Sequence, residues 1–363
     1  MKTILVLLFL LHALIHLIGT KRFRTFADQN TKPGAGRFIS VLWLVAAILF
    51  GLSAVQLYFF NTKWWYAALA ALPLSQLLIS LHWKEARFGT ALNILILLLI
   101  YVGYSGWKFE NQFATDYQDL LKHSKQSDTS LLRESDLAEL PGPVRKYIRQ
   151  SGALGQARVH TFRLKLKGKI RRNENSEWMP LTCEQYSDLD QGKRLFFMKA
   201  KMMKLPVTGY HRYLNGEASM DIRLLSTLPV QHMNGEEMNV AETVTFFNDM
   251  CCMAPASLID KRIAWHETDS NTVQATFTLN SIRIHAILYF NGAGELINFR
   301  SDERYSADAK KRLPWWTPLY DYKSFGQARL ASRASLLYTY PEGEVKYGEF
   351  ETLSVEYNVK FTE

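Results

Sequence analysis

Four long apolar stretches occupy the first hundred residues, and they constrain the fold more than any other feature. The stretches are Ile4–Ile18, Phe38–Phe60, Trp64–Leu81 and Gly89–Trp107. Crossing roughly 30 Å of hydrocarbon takes about 20 mostly apolar residues, so the second stretch is long enough, the third and fourth come close, and the first is short. Backbone N–H and C=O groups inside a bilayer must form hydrogen bonds within their own segment, and this requirement predicts helices. The sequence therefore predicts a four-helix transmembrane unit at residues 1–107.

The loops between these stretches differ in charge, which predicts the orientation of the anchor. The first loop, Thr20–Arg37, contains five basic residues, Lys32 among them, and one acidic residue. Basic loops stay in the cytoplasm, so the short second loop Asn61–Lys63 and everything after Trp107 are predicted to lie outside. For a bacterium, this means a multi-pass chain in the cytoplasmic (inner) membrane with a periplasmic or extracellular C-terminal domain. The alternative is that the first stretch is a cleaved signal peptide, although no small-x-small cleavage site follows it.

A connecting segment at residues 108–137 is predicted between the anchor and a soluble domain at residues 138–363. Lys108–Gln126 has apolar residues near helical spacing. It is followed by a polar linker, Ser124–Ser130. Few contacts are expected to cross such a linker, so the chain from about residue 131 onward is predicted to fold alone.

From Ala157 onward, apolar and polar residues alternate with a period of two, which is typical of half-buried strands. Short turns join about ten such strands, so the sheet is predicted to be antiparallel. One helical stretch, Asn239–Met253, interrupts the series. About ten strands are too many for a flat open sheet. The predicted α+β domain is therefore a curved half-barrel with the helical segment on its concave face.

Several short motifs in this domain resemble an uncharacterised bacterial family whose members carry the domain alone or behind membrane spans. The motifs are Leu140–Ile148, Trp178–Leu181, Glu184–Tyr186, Leu205–Gly209, Tyr213–Gly216, Pro255 and Tyr322–Gly326. The resemblance covers residues 138–360 and implies no established activity. The strand layout is also similar to that of the LolA-like lipoprotein-carrier superfamily, whose half-barrels hold acyl chains. That similarity is an analogy of fold, which does not by itself establish a function.

No catalytic motif with the required spacing is present: the sequence lacks a nucleophile elbow, a zinc-protease helix, a P-loop and a dinucleotide fingerprint. Neither a cofactor nor a metal site is predicted. Glu303 and Arg304 face opposite sides of a predicted strand, so one of them is expected to point into the barrel. Glu184, beside Gln185, is a second candidate for an inward carboxylate. An envelope hydrolase using Glu184 or Glu303 is therefore the alternative to a binding protein.

Histidines and cysteines leave two further alternatives open. His12 and His16 are four residues apart and share one face of the first helix, where they serve either a function or interhelical hydrogen bonding. His211 and His285 lie on predicted strands and would meet only if the fold brought them together. The three cysteines, Cys183, Cys251 and Cys252, form no CxxC motif. Either all of them are buried free thiols, or one of Cys251 and Cys252 forms a disulfide with Cys183.

Methionine and aromatic residues are concentrated in the first half of the domain, and they predict a binding site. Methionine adapts to varied apolar ligands, although simple core packing is the alternative. The cavity wall is predicted to include Trp178, Met198, Phe246 and Met250. Trp315 and Trp316 follow a basic run in a predicted proline-rich loop, which suits either a membrane interface or a lid over the barrel. If the sheet closes over a cavity, both are predicted to lie at its mouth.

The predicted partners are membrane lipids and a lipid-like or other apolar ligand. The net charge of +9 comes partly from the cytoplasmic loop, and a domain outside the cytoplasm is not expected to meet nucleic acid. The basic residues from Lys165 to Arg172 belong either to a solvated strand face or to a surface for anionic headgroups. A third hypothesis is a structural or assembly partner with a filled barrel. The sequence does not specify protein partners.

The predicted orientation can be tested with reporter fusions after Trp107. A reporter that works only outside the cytoplasm is expected to be active there, because the basic first loop holds its own side in the cytoplasm. Activity of a cytoplasmic reporter at the same position would contradict this orientation.

Overall fold

The computed structural model describes residues 2–30, 35–60, 63–124 and 130–360. Lys32, Asn61 and residues 125–129 of the predicted linker lie outside this set. The chain divides into two units, Met1–Asn111 and Gln112–Glu363, and each is described separately below.

The first unit consists of apolar helices. Its helices are α1 (Lys2–Asn30), α2 (Ala35–Phe59), α3 (Trp65–Leu81), α4 (Trp83–Ala86) and α5 (Gly89–His123), the last of which continues into the second unit. Within the described residues, three segments are long and apolar enough to cross a membrane: Lys2–Arg22, Gly36–Phe59 and Gly89–His123. Helix α3 has 17 residues, about 25 Å at 1.5 Å per residue. The expected four spans are therefore corrected to three helices of spanning length, one shorter apolar helix, α3, and the additional short helix α4.

A cluster of buried polar side chains joins α1, α3 and α5. His12 Nε2 lies 3.0 Å from Asn93 Oδ1, and His16 Nε2 lies 2.9 Å from Ser75 Oγ. Ser75 Oγ donates its proton to Asn93 Oδ1 over 3.0 Å, so it accepts from His16. All four side chains are buried. The two histidines thus make interhelical hydrogen bonds, which align the apolar helices α1, α3 and α5.

In the described residues of the second unit the sheet has fourteen strands, whereas about ten were expected. They are β1 (Thr161–Ile170), β2 (Met179–Asp188), β3 (Lys193–Met202), β4 (Leu205–Leu214), β5 (Glu217–Leu224), β6 (Leu228–Asn234), β7 (Ile263–Glu267), β8 (Thr272–Leu279), β9 (Ile282–Phe290), β10 (Leu296–Ser306), β11 (Lys311–Trp316), β12 (Leu319–Phe325), β13 (Ala328–Tyr340) and β14 (Gly343–Tyr357). The strands that the pattern missed are β6, β11 and β12. Pro229 and Pro314 interrupt two of them, and proline normally counts against a strand because it donates no hydrogen bond.

Helices of the second unit precede the sheet and interrupt it. They are α6 (Gly142–Gln150), α7 (Glu236–Met253) and two 3₁₀ segments, Glu134–Leu137 and Pro255–Ile259. Pro143 lies in the first turn of helix α6, where a missing N–H costs nothing.

The sheet consists of two series of antiparallel neighbours joined in the middle. Its order is β6-β5-β4-β3-β2-β1-β14-β13-β11-β10-β9-β8-β7, with β12 beside β13. Strand β1 pairs with both β2 and β14. The two edge strands, β6 and β7, are consecutive in sequence and are connected through α7. The predicted curved antiparallel half-barrel is confirmed, with more strands than expected.

Helix α7 packs across the face of this curved sheet. It contacts β5 and β6 in one half and β9, β10 and β13 in the other. Most of its residues are buried, including Phe246 and Phe247, and Phe247 stacks on Phe277 of β8 with ring centroids 4.8 Å apart. A helix that is apolar on nearly all sides is stable in water only when several surfaces cover it.

The last turns of α5, from Gln112 onward, pack on the other face of the sheet. Phe113 stacks on Phe197 of β3 at 5.3 Å. Asp116 accepts a hydrogen bond of 2.7 Å from the Tyr210 hydroxyl and forms an ion pair of 2.9 Å with Arg212, both on β4. These contacts make residues 112–123 part of the second unit.

A fragment 112–363 is therefore expected to unfold cooperatively and to be more stable than a fragment 131–363. Removing residues 112–130 exposes Phe197 and leaves Tyr210 and Arg212 without Asp116, at a cost of about 3 kcal/mol in the free energy of unfolding. Urea unfolding followed by circular dichroism measures the difference. Equal stabilities would show that the end of α5 does not contribute to this fold.

Candidate functional site

A cavity of about 640 Å³ lies between the sheet and α7 in the second unit. Residues from both halves of the sheet line it, from β1 to β6 on one side and from β10, β11, β13 and β14 on the other. Its volume falls in the range of roughly 300–1,000 Å³ that is usual for small-molecule sites. The lining residues that remain exposed to solvent mark its mouth: Arg172, Val230 and Asp308.

The wall is largely apolar and rich in methionine. Among the described residues that line the cavity are Met179, Met198, Met202, Met220, Met233, Met238 and Met253. They lie on β2, β3, β5, β6 and α7. Unbranched thioether side chains adjust to ligands of different shapes. The cavity therefore has a deformable apolar surface on the side of the first strands.

A buried polar network crosses the same space and is centred on Arg194 of β3. Arg194 donates from Nη1 to Glu242 Oε2 over 3.0 Å and from Nε to Asp249 Oδ2 over 2.7 Å. Gln185 of β2 bonds to both Arg194 and Asp249, over 3.1 and 2.7 Å. His211 Nδ1 lies 3.2 Å from Glu242 Oε1. The two acids are seven residues apart, so they project from one face of α7 and hold it to the sheet.

The two acids respond oppositely to this environment. Burial alone would raise the pKa of Glu242, but Arg194 and His211 together outweigh it and lower the pKa to about 2. Burial raises the pKa of Asp249, and Arg194 offsets this only in part. Burial would also lower the pKa of Arg194, yet the two carboxylates hold it above its ordinary value. The pair Arg194–Glu242 is thus the charged core of the network.

Arg304 of β10 also lines the cavity but is held differently. Its Nε donates to Thr245 Oγ1 over 3.2 Å, and its Nη1 donates to the hydroxyl of Tyr338. The guanidinium carbon lies 4.6 Å from the centroid of the Trp315 ring. Within the described part of the chain, no carboxylate lies within 4.0 Å of this arginine. Only neutral groups therefore accept hydrogen bonds from Arg304, and the charge of Glu242 acts on it at longer range.

Two of the predicted ligand-binding residues, Met198 and Trp315, line the cavity. Trp315 was expected at the mouth, but it is buried in the wall, where its Nε1 donates to the Tyr347 hydroxyl over 2.9 Å. Trp316 faces the other side of the sheet, where Arg300 stacks on it at 4.7 Å. Both tryptophans lie on a strand and not in a loop, so neighbouring side chains point to opposite faces.

The other three predicted residues do not line the cavity. Trp178 lies beneath Lys169 and Arg171, at 4.8 and 4.6 Å from its ring centroid. Phe246 and Met250 are fully buried on α7, and Phe246 stacks on Phe277 at 6.2 Å. A helix that is covered on all sides turns only part of its surface to the cavity. A role in binding remains a prediction for every residue of the predicted set.

Both candidate carboxylates lie outside the cavity. Glu184 accepts a hydrogen bond of 2.8 Å from Arg163 Nε. Glu303 lies 2.7 Å from His285 Nδ1. Their strand neighbours Gln185 and Arg304 line the cavity instead. Of Glu303 and Arg304, the inward residue is thus Arg304, and Glu184 is not the inward carboxylate that was expected. His211 and His285 do not contact each other, because His211 bonds to Glu242 in the cavity and His285 bonds to Glu303 outside it.

Other polar features of the second unit have ordinary structural partners. On the outer face, Lys167 and Lys169 pair with Glu351 and Glu349 of β14, over 3.1 and 3.0 Å. This supports a solvated strand face over a headgroup surface. The three cysteines are free and buried, and burial raises the pKa of each thiol.

Sequence reasoning missed Arg194, Glu242 and Asp249. A signal was present, because two acids two turns apart interrupt an otherwise apolar helix. Their partner on β3 could not be identified from one sequence.

The fold and site define a curved α+β half-barrel with an internal, mostly apolar cavity, carried behind apolar helices. The chain belongs to a family of unknown function, DUF6544, whose family model matches residues 130–350. The predicted membership in an uncharacterised family is thereby confirmed.

Two solved structures are similar at low identity. One is a Vibrio parahaemolyticus domain described as an outer membrane lipoprotein-sorting protein domain. It is 8% identical with a TM-score of 0.34, and the match covers 56% of this chain and 87% of that one. The other is the LolA superfamily protein NE2245 from Nitrosomonas europaea, 9% identical with a TM-score of 0.28, over 64% and 99% of the two chains. With TM-scores this far below 0.5, the strand pairing and not these matches defines the fold. A comparison with curated proteins finds no match.

Replacing Glu242 by glutamine is expected to destabilise the protein more than replacing Asp249 by asparagine. The first change removes the carboxylate whose ionised form this environment favours and leaves Arg194 with Asp249 alone, so it should cost about 3–5 kcal/mol in the free energy of unfolding. The second should cost about 1–2 kcal/mol, because burial already opposes ionisation of Asp249. Urea unfolding of the full chain in detergent measures both, with Asp302→Asn at an exposed pair as the control. A larger cost for Asp249→Asn would contradict the assignment.

The same pair predicts a dependence on pH. The pKa of Glu242 is lowered, so its stabilising contribution is present above about pH 4.5 and is lost as the pH falls toward 2. The stability advantage of the wild type over Glu242→Gln should therefore shrink between pH 6 and pH 3. An advantage that stays constant over this range would show that Glu242 is not the titrating group.

Proposed function

We propose that the second unit binds a lipid-like or other apolar ligand inside the half-barrel, and that the apolar helices hold it at a bacterial membrane. The observation that carries this proposal is the cavity of about 640 Å³ with its methionine-rich wall. Transfer of an apolar chain from water into such a space is favourable in proportion to the area that it buries.

The size of the cavity supports a binding role over a filled barrel. Protein interiors are close-packed and contain few voids larger than a water molecule. A space of this volume leaves Met198, Met220 and Met233 without packing partners on one side, which costs dispersion contacts. An apolar ligand would restore those contacts.

Membrane attachment and location follow from the sequence and belong to the same proposal. Three described helices have the length and apolarity of membrane spans. The basic first loop supports an orientation with the second unit outside the cytoplasm. A binding domain anchored in this way would stay close to the bilayer that supplies its ligand.

The hydrolase alternative has less support. Glu184 and Glu303 form ion pairs with Arg163 and His285 outside the cavity. Inside, Glu242 and Asp249 are bonded to Arg194. A carboxylate that a neighbouring cation holds in its ionised form is a weak proton donor, which counts against this alternative.

Titration of fragment 112–363 with an environment-sensitive acyl probe tests the proposal. Saturable binding is expected, and Met198→Asp should weaken it at least about tenfold, because a carboxylate opposes apolar transfer. Met203→Asp is the matched control, since Met203 is exposed and does not line the cavity. Circular dichroism verifies that both variants fold. Absence of saturable binding to fatty acids, phospholipids and other apolar probes would refute the proposal.

A further inference from the structure

We infer that the ligand is an amphiphile with one acidic headgroup, a carboxylate or a phosphate monoester, and that Arg304 binds the headgroup. This inference rests on the proposed function and adds to it the chemical class of the ligand. It follows from the way charge is distributed inside the cavity.

The two arginines of the cavity interior differ in their partners. Arg194 is compensated by Glu242 and Asp249, at 3.0 and 2.7 Å. Arg304 has no carboxylate within 4.0 Å among the residues that the structure describes. A guanidinium removed from bulk water is costly unless an anion or several acceptors compensate it. Glu242, which pairs directly with Arg194, acts on Arg304 only at longer range. The direct partner that Arg304 lacks is therefore a negative group that enters the cavity.

Hydroxyl groups hold the Arg304 guanidinium in one orientation. Thr245 Oγ1 donates its own proton to Ala241 O over 2.9 Å, so it can only accept from Arg304 Nε. The Tyr338 hydroxyl donates to Tyr305 O over 3.0 Å and accepts from Nη1. These bonds leave Nη2 without a partner in the described chain. A planar donor oriented in advance loses little entropy when it binds an oxyanion.

A second donor lies beside it. The Tyr347 hydroxyl accepts from Trp315 Nε1 over 2.9 Å, and no described residue accepts its proton. Arg304 stacks on the same indole at 4.6 Å, and Tyr347 lines the same cavity. An acidic headgroup over this indole would meet one charged and one neutral donor.

The surroundings favour an amphiphile over a small free anion. Arg304 lies two residues before the end of β10, and the turn that follows this strand contains Asp308 at the mouth. Most of the remaining wall is apolar and contains the methionines named above. Inorganic phosphate would make no favourable contact with such a wall, whereas an acyl chain attached to the acidic headgroup would pack against it.

Photo-crosslinking of the full chain in phosphatidylcholine nanodiscs tests the inference. Three diazirine probes share one acyl chain and differ in the headgroup, which is a carboxylate, a phosphate monoester or a hydroxyl. Mass spectrometry of peptides that contain cavity-lining residues measures labelling. The acidic probes should label these peptides about tenfold more than the alcohol. Arg304→Gln should reduce their labelling to the alcohol level. Arg300→Gln is the matched control on the same strand, because Arg300 stacks on Trp316 outside the cavity.

Each outcome has a distinct meaning. Equal labelling by acid and alcohol overturns the headgroup inference and leaves the proposed function standing, whereas absence of cavity labelling by all three probes refutes the proposed function. A preference for acids that persists in Arg304→Gln places recognition elsewhere and also overturns the inference. If that variant does not fold, Arg304→Lys decides: a retained preference for acids supports the inference, and a lost preference counts against it. Competition by equimolar inorganic phosphate would show a free-anion site and exclude the amphiphile.

Discussion

Strand β1 forms hydrogen bonds with both β2 and β14, and through it the first and last strands of the domain become neighbours. Without this pairing, β1–β6 and β7–β14 would be two separate series of antiparallel neighbours. The pairing joins residues almost two hundred positions apart in sequence, such as Phe162 and Tyr357. Closing so long a loop costs entropy, which the buried side chains of both strands must offset. The curvature of the sheet and the cavity inside it depend on this contact.

Helix α7 has two roles in that arrangement. Its connection between β6 and β7 requires it to cross the open side of the sheet. Its apolar residues fill part of the interior, while Glu242 and Asp249 hold it to Arg194. Buried ion pairs of this kind contribute little net stability, but they penalise alternative positions of the helix. In this domain, the network determines how much of the half-barrel is packed and how much remains open.

Much of the fold was predictable because strand periodicity is a local property. Alternation in β1 to β5 and β7 to β10, and the helical pattern at Asn239–Met253, identified the antiparallel half-barrel and its helix. Proline in β6 and β11 concealed two further strands, since neighbouring strands supply the pairing that propensity opposes. The site was less predictable. Met198 and Trp315 line the cavity, but Trp178, Phe246, Met250 and Trp316 do not.

The sequence by itself determined the apolar helices, the antiparallel class of the sheet and the abundance of methionine, because each depends on residues close together along the chain. Only the tertiary structure decided which of two neighbouring strand residues faces the cavity. Gln185 faces it and Glu184 does not, and Arg304 faces it and Glu303 does not. It also decided that carboxylates pair directly with Arg194, whereas only neutral groups accept hydrogen bonds from Arg304. These outcomes depend on the register of distant strands and on the rotation of α7, and no local pattern encodes either one.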